Sequence, residues 1–407
     1  MTIGGSSIAD ELATIAPWAT PAPRIAQTER TARLDKARAL IEAAGADAIL
    51  IGAGASLRYF AGVPWGATER LVALLLPVKG QPILICPRFE QGSLEAAVEI
   101  DADLRLWEED ESPYALVADA VGGKLLLDPQ LPYGMATGLA ATGLELGDGA
   151  SVIDACRMIK SPAEIALLAQ AKAMTLDVQR RAARILQPGI AASAVIRFID
   201  EAHRAIGSSG SYFCAVQFGR ATTFPHGIPG DQLLEEDQLV LIDTGCQVEG
   251  YHSDITRTYA FGQVGDEARA IWDIEHEAQA AAFAAVQPGI PCEAIDTAAR
   301  VVLEKAGLGP DYRLPGLPHR TGHGIGLSIH EPAYLVRGDR TPLAPGMCFS
   351  NEPMIVVPDR FGIRLEDHFH VTETGAAWFT EPQPSIDRPF GLSLARSAPA
   401  RGRWHRR

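Results

Sequence analysis

The chain has 407 residues, of which 47% are hydrophobic and 21% charged, enough for two sizeable cores in a soluble globular protein. Its formal net charge of -14 argues against a general nucleic-acid binder, since phosphate affinity is built from clustered Lys and Arg. The longest apolar run (71–78) is far too short to span a bilayer and no secretory signal pattern opens the chain, so a cytoplasmic protein acting on small molecules or peptides is expected.

A polar, Pro-containing arm (1–27) leads into "TERTARLDKARALIEAAG", a helical pattern closed by Gly45. The short strands "DAILIG", "LVALLL" and "PILICP" follow, with helical segments between them, which predicts a mixed α/β domain over 28–156. At "CRMIKSPAEIALLAQA", Ser161, Pro162 and Glu164 spell a capping box with Pro at the first helical position, marking a second domain over 157–388. Leu167, Ala171, Met174 and Val178 form the apolar stripe of its first helix. The last segment, 389–407, is basic and of low complexity and is expected to be disordered. Cys86, Cys156, Cys214, Cys246, Cys292 and Cys348 are scattered without a CxxC pair, so no disulfides are expected; Cys246 lacks an activating base and is read as a bystander.

The second domain carries an internal repeat. "QPGI" recurs at 187–190 and 287–290, each time between two helical patterns, the second of which stops at Gly207 or Gly307. Helix, break and helix at one offset predict a duplicated half-domain whose halves also contribute equivalent strands. Two acids from each half then converge: Asp243 in "QLVLID" and Asp254 in "YHSDITRT", against Glu352 in "SNEPM" and Glu366 in "IRLED". Gly250, in the turn between the first two, predicts a hairpin that sets their strands side by side. His319, His323 and His330 cluster in "LPHRTGHGIGLSIHEP". Four carboxylates repel one another unless cations lie among them, and an oxygen-rich set with one imidazole suits Mn²⁺ better than a thiolate-type zinc site.

The set Asp243, Asp254, His323, Glu352 and Glu366, within "LIDTG", "YHSDITRT", "TGHGIG", "NEP" and "RLED", resembles the pita-bread metallopeptidases of family M24. "LRYFAGVPWG" and "RMIKSPAEI" are similar to the creatinase/prolidase branch, and the resemblance covers about residues 28–388. It implies a creatinase-like α/β N-terminal domain, a pseudo-twofold pita-bread catalytic domain and two divalent ions, Mn²⁺ first, with Co²⁺, Zn²⁺ and Fe²⁺ as alternatives. In that pattern Asp243 binds one metal, His323 and Glu352 the other, and Asp254 and Glu366 bridge both. Glu352 is also the proton shuttle, His226 contacts substrate, His330 stabilises the tetrahedral intermediate, and His319 lies one layer further out. Arg364 would orient Glu366 or bind the product's carboxylate.

The activity implied is hydrolysis of the bond before proline, in Xaa-Pro dipeptides or, as in aminopeptidase P, in longer peptides; a homodimer is implied too, with Trp65 near the partner's site. A catalytically silent peptide-binding module on this scaffold would be marked by lost ligands, and none is lost. One departure stands out: where most relatives read "EPGIY", this chain has "EPMIV", placing Val356 where a tyrosine hydroxyl is usual.

Overall fold

The computed structural model describes residues 2–394. Helix α1 (Gln27–Ala43) buries Leu34, Ala37 and Ile41 and ends at Gly45, whose φ of 64° only glycine adopts readily. It covers a sheet of β1 (Ala48–Gly52), β2 (Ala73–Pro77), β3 (Ile83–Pro87), β4 (Asp103–Trp107), β5 (Lys124–Leu127) and β6 (Glu145–Asp148), in the order β4-β3-β2-β1-β5-β6. β1 is antiparallel to β2 and parallel to β5, so the sheet is mixed. Its central strands read as unbroken apolar runs because both faces are covered. Ile49 and Ile51 enter one core cluster, while Ala48 and Leu50 enter another on the opposite face.

Helix α2 (Ala150–Arg157) leads to α3 (Pro162–Arg184), which starts as its sequence requires. Ser161 accepts from the Glu164 N–H at 3.2 Å, and Glu164 accepts from the Ser161 N–H at 3.0 Å. Leu167, Ala171, Met174 and Val178 are buried. Next come α4 (Ala192–Ile206), β7 (Ser211–Phe218), β8 (Gln238–Val248) and β9 (Ile255–Phe261), with β8 antiparallel between its neighbours.

The same plan returns in α5 (Asp266–Ala284) and α6 (Cys292–Lys305), followed by β10 (Gly322–Gly324), β11 (Glu331–Leu335), β12 (Cys348–Asn351), the hairpin of β13 (Met354–Val357) with β14 (Phe361–Arg364), and then β15 (Asp367–Thr372) and β16 (Gly375–Trp378). Its sheet runs β11-β10-β12-β15-β16. The repeat extends to individual hydrogen bonds. Gly189 N–H donates to Leu234 O at 2.7 Å and Leu234 N–H to Ile190 O at 2.9 Å; the counterparts are Gly289 to Leu343 O at 2.8 Å and Leu343 to Ile290 O at 2.8 Å.

The chain's outer segments are more ordered than the sequence reading expected. Within the arm, Ile8–Ala13 is helical, and buried Glu11 pairs with Arg184 at 3.1 Å. Thr2–Ile3 and Ser393–Leu394 pair as parallel strands, and Ile3 and Leu392 enter the core beneath α3 and α4. The segment expected to be disordered from 389 is thus packed as far as 394; residues 395–407 lie outside the described residues. Single apolar anchors in polar stretches escaped the composition argument.

The predicted hairpin is present. Glu249 and Gly250, with φ of 49° and 82°, form a two-residue turn pairing Val248 with Tyr251. A Cβ on Gly250 would also lie 2.7 Å from the Arg58 guanidinium. Gly250→Val is expected to lower stability by about 1–2 kcal/mol, read as a reduced midpoint in thermal or urea unfolding.

Candidate metal centre and substrate cleft

Asp243 projects from β8 opposite Thr256 of β9. Asp254 and Glu366 were expected inside strands; each instead sits in the break immediately before one, Asp254 ahead of β9 and Glu366 ahead of β15. Glu352 follows β12 by one residue, and His323 is central in β10. Gly322 lets β10 and β12 approach closely, since a Cβ there would meet Ser350 O at 2.1 Å. The ligand atoms of Asp243, Asp254 and Glu366 lie within 4.8 Å of one another, and so do those of His323, Glu352 and Glu366. Glu366 thus belongs to both groups. Asp254 also groups with His323 and His330.

The surroundings fix these side chains. His323 donates from Nδ1 to Gly324 O at 3.0 Å, which turns Nε2 toward Glu352 Oε1, 3.0 Å away, and Asp254 Oδ2, 3.8 Å away. Ser350 donates to Glu352 at 3.0 Å, and Thr256 donates to Glu366 at 2.8 Å. Behind them the buried Arg257–Asp367 pair, at 2.7 Å, joins β9 to β15, and Arg257 also donates to Glu366 O at 2.8 Å. Gln179 on α3 donates to Ile255 O at 2.6 Å, and its repeat counterpart Gln279 on α5 donates to Leu365 O at 3.1 Å. Each glutamine holds backbone next to one acid.

Burial, then repulsion from the other carboxylates, pushes Asp254 and Glu366 well above the ordinary carboxylate range. Burial also raises Asp243, against the attraction of Arg364. Burial opposes the charge of Glu352 as well, but its hydrogen bond to His323 and the nearby His319 and Arg364 bring its pKa down. Asp243 Oδ1 and Glu366 Oε1 are buried without a hydrogen-bond partner. Unpartnered buried carboxylate oxygens converging on one imidazole nitrogen are the donor set of a hard divalent cation, so the residues present fit the metal that the sequence implied.

A cleft of about 560 Å³ opens beside this centre, with Glu352, Arg364, His226, His319, His330 and Arg320 in its wall. All three candidate substrate histidines therefore reach one cavity. His226 stands exposed on the loop after Pro225, and the His330 ring packs edge-on to His323 at 4.2 Å. Partial burial, with His323 and Arg320 beside it, lowers His330 to about 4. Arg364 differs from its sequence reading: its guanidinium is buried, forms a short ion pair with Asp243, and donates from Nε to Thr256 Oγ1 at 2.9 Å and from Nη1 to Pro225 O at 3.3 Å. It touches Glu366 only through Thr256. Val356 is buried within the apolar core of the second half, and Trp65 packs half-buried on the first domain. Cys246, raised by burial, hydrogen-bonds Thr175.

Sequence reasoning missed the support of His330. Its neighbour Glu331 is buried, paired through one oxygen with Arg157 of α2 and through the other with Lys160 at 3.0 Å, and it accepts from the Ser328 N–H at 2.9 Å. Burial opposes this charge, but the two cations hold the carboxyl at about 2. Only three-dimensional contact could disclose the cluster, since its members lie far apart in the chain.

Strands duplicated about a twofold, with acids and one imidazole converging between them, define a metallopeptidase: the chain belongs to metallopeptidase family M24, whose sequence pattern matches residues 166–373. A creatinase/prolidase N-terminal domain matches residues 33–159. The chain is thus a hydrolase of the peptidase type. It is 37% identical to a Mycobacterium bovis protein named "Probable dipeptidase PepE", over 84% of this chain and 92% of that protein. The crystal structure of dipeptidase PepE from Mycobacterium ulcerans superposes with a TM-score of 0.83 at 36% identity, covering 91% of this chain and 99% of that one. A prolidase from Thermococcus sibiricus gives a TM-score of 0.79 at 30% identity, covering 86% and 96%.

Two consequences are measurable. Thr256→Val removes the hydroxyl shared by Glu366 and Arg364 and is expected to weaken divalent-cation binding about 10–100-fold in a metal titration. Glu331→Gln leaves two buried cations unpaired and should cost about 3–5 kcal/mol at neutral pH. Because the folded pKa of Glu331 is depressed from 4.5 to about 2, its stabilisation is complete above the unfolded value and fades as pH falls toward 2. Urea midpoints of wild type and variant should converge over that interval.

Proposed function

We propose that the protein is a dinuclear metal-dependent dipeptidase that hydrolyses the bond before proline in Xaa-Pro dipeptides. The observation that carries this reading is the opening of the convergent Asp243, Asp254, His323, Glu352 and Glu366 set onto a cleft shared with His226 and His330. Glu366, common to two ligand groups, supports a bridged pair of ions, with Asp254 as second bridge. Two divalent cations bound there would polarise the scissile carbonyl and make a water acidic enough to attack it. Glu352, held in its ionised form, accepts the proton of that water and passes it to the proline nitrogen. His330 stabilises the developing oxyanion from the cleft wall, and His226 positions the substrate. An oxygen-rich set favours Mn²⁺ over softer ions.

Val356, buried in the core, offers no hydroxyl, so the proton transfer is assigned to Glu352 alone. The six free cysteines fit the reducing cytoplasm, and no described helix is long and apolar enough to cross a membrane. A homodimer remains part of the reading, on the family resemblance.

Protein stripped with EDTA is expected to lose, and Mn²⁺ to restore, release of proline from Ala-Pro, with Ala-Pro-Ala a poor substrate. Release of alanine and Pro-Ala from the tripeptide would move the assignment to aminopeptidase P. Failure to cleave either peptide with Mn²⁺ bound would overturn the reading. Glu352→Gln should lower kcat on the preferred peptide by about 100-fold or more.

A further inference from the structure

At its first peptide bond a dipeptide differs from a longer peptide in one feature: the residue after that bond ends in a free carboxylate. A cleft that selects dipeptides needs a cation there. Arg364, the candidate from sequence, is committed, because its guanidinium already serves Asp243, Thr256 Oγ1 and Pro225 O. Arg320, in the same cleft wall, is not. Among the described residues no carboxylate pairs with its guanidinium and no acceptor is hydrogen-bonded to it.

The local structure prepares Arg320 for a ligand. Its backbone is held on both sides from α6: Arg300 donates to His319 O at 2.7 Å, and Asp296 accepts from the Thr321 N–H at 3.2 Å and hydroxyl at 2.8 Å. Its guanidinium lies over the Tyr334 ring, 4.5 Å from the ring centre, a cation–π contact that limits its orientations and takes up no carboxylate or carbonyl acceptor. The residue is half-buried, so water satisfies the cation less fully than at an open surface. A held backbone, an aromatic ring against the guanidinium and an unused fork of donors suit bidentate carboxylate recognition.

We propose that Arg320 receives the C-terminal carboxylate of the substrate and thereby restricts the cleft to dipeptides. The proposal rests on the peptidase reading above but not on its preference for proline. An amide in place of the carboxylate leaves the guanidinium without an anion, so peptides extended beyond the second residue are disfavoured by the missing charge.

The test compares Mn²⁺-loaded wild type, Arg320→Ala and Arg320→Lys on Ala-Pro, Ala-Leu and the C-terminal amides of both. Arg320→Ala should reduce kcat/KM on the free acids by about 10–100-fold, mostly through KM, and this loss should exceed the loss on the amides at least about tenfold. Arg320→Lys should recover part of it. Equal losses on acid and amide, with circular dichroism showing an intact fold, would overturn the proposal and reduce Arg320 to a structural role. If wild type cleaves Ala-Leu but not Ala-Pro, the proline preference fails alone and the Ala-Leu pair decides for Arg320. If no peptide is cleaved, calorimetric titration of Ala-Pro and its amide decides: selective loss of acid binding in Arg320→Ala supports the proposal, and unchanged binding of both overturns it.

Discussion

Repulsion among Asp243, Asp254, Glu352 and Glu366 is the constraint around which the catalytic half of the molecule is arranged. Four carboxylates in a buried place cannot all ionise without compensation, and burial pushes Asp254 and Glu366 toward protonation. The protein supplies one permanent counter-charge, Arg364, and places it against Asp243. The rest is left to cations. Holding such a set in place requires neighbours that are themselves immobile. Arg257 and Asp367 perform that task by pairing across β9 and β15, three residues after Asp254 and one after Glu366. Their charges cancel, so they tie the strands together without adding to the repulsion.

Below this layer the glutamines divide the work. Gln179 and Gln279 reach from corresponding helices to carbonyls beside Asp254 and Glu366, so each helix positions one ligand-bearing segment. The other connection runs to the junction of the two domains, where Arg157, at the end of α2, and Lys160 grip Glu331 and so fix the segment that presents His330. The junction, which offers no group to the chemistry, thereby steadies a residue at the reacting end of the cleft.

Much of this was legible in sequence, for identifiable reasons. The short apolar run Ala48, Ile49, Leu50 and Ile51 marks a strand, Ser161 and Glu164 mark a helix start, and the duplicated "QPGI" marks the twofold. The metal candidates stand out because acids are rare at strand positions. Gln179 and Gln279 were also within reach: they lie eight residues ahead of each "QPGI", and extending the repeat backwards would have found them. The partner of Arg364 was not. Its position two before Glu366 pointed to that acid, whereas the β13–β14 hairpin carries its side chain to Asp243, a contact between residues 121 apart that no local pattern encodes. The order of the chain's outer segments was hidden for a similar reason, since Ile3 and Leu392 anchor them through contacts far away in sequence.

The twofold repeat has a further consequence, in the division of labour it permits. Each half supplies two acids in equivalent places, yet His319, His323 and His330 all come from the second half, and the exposed loop with His226 from the first. Two identical halves paired about the same axis would give a symmetric centre, with the same groups on both sides of a substrate. A peptide bond is polar and directional, with an acyl carbon on one side and a leaving nitrogen on the other. Joining the halves in one chain frees each to carry different groups, so the centre can tell the two ends of its substrate apart.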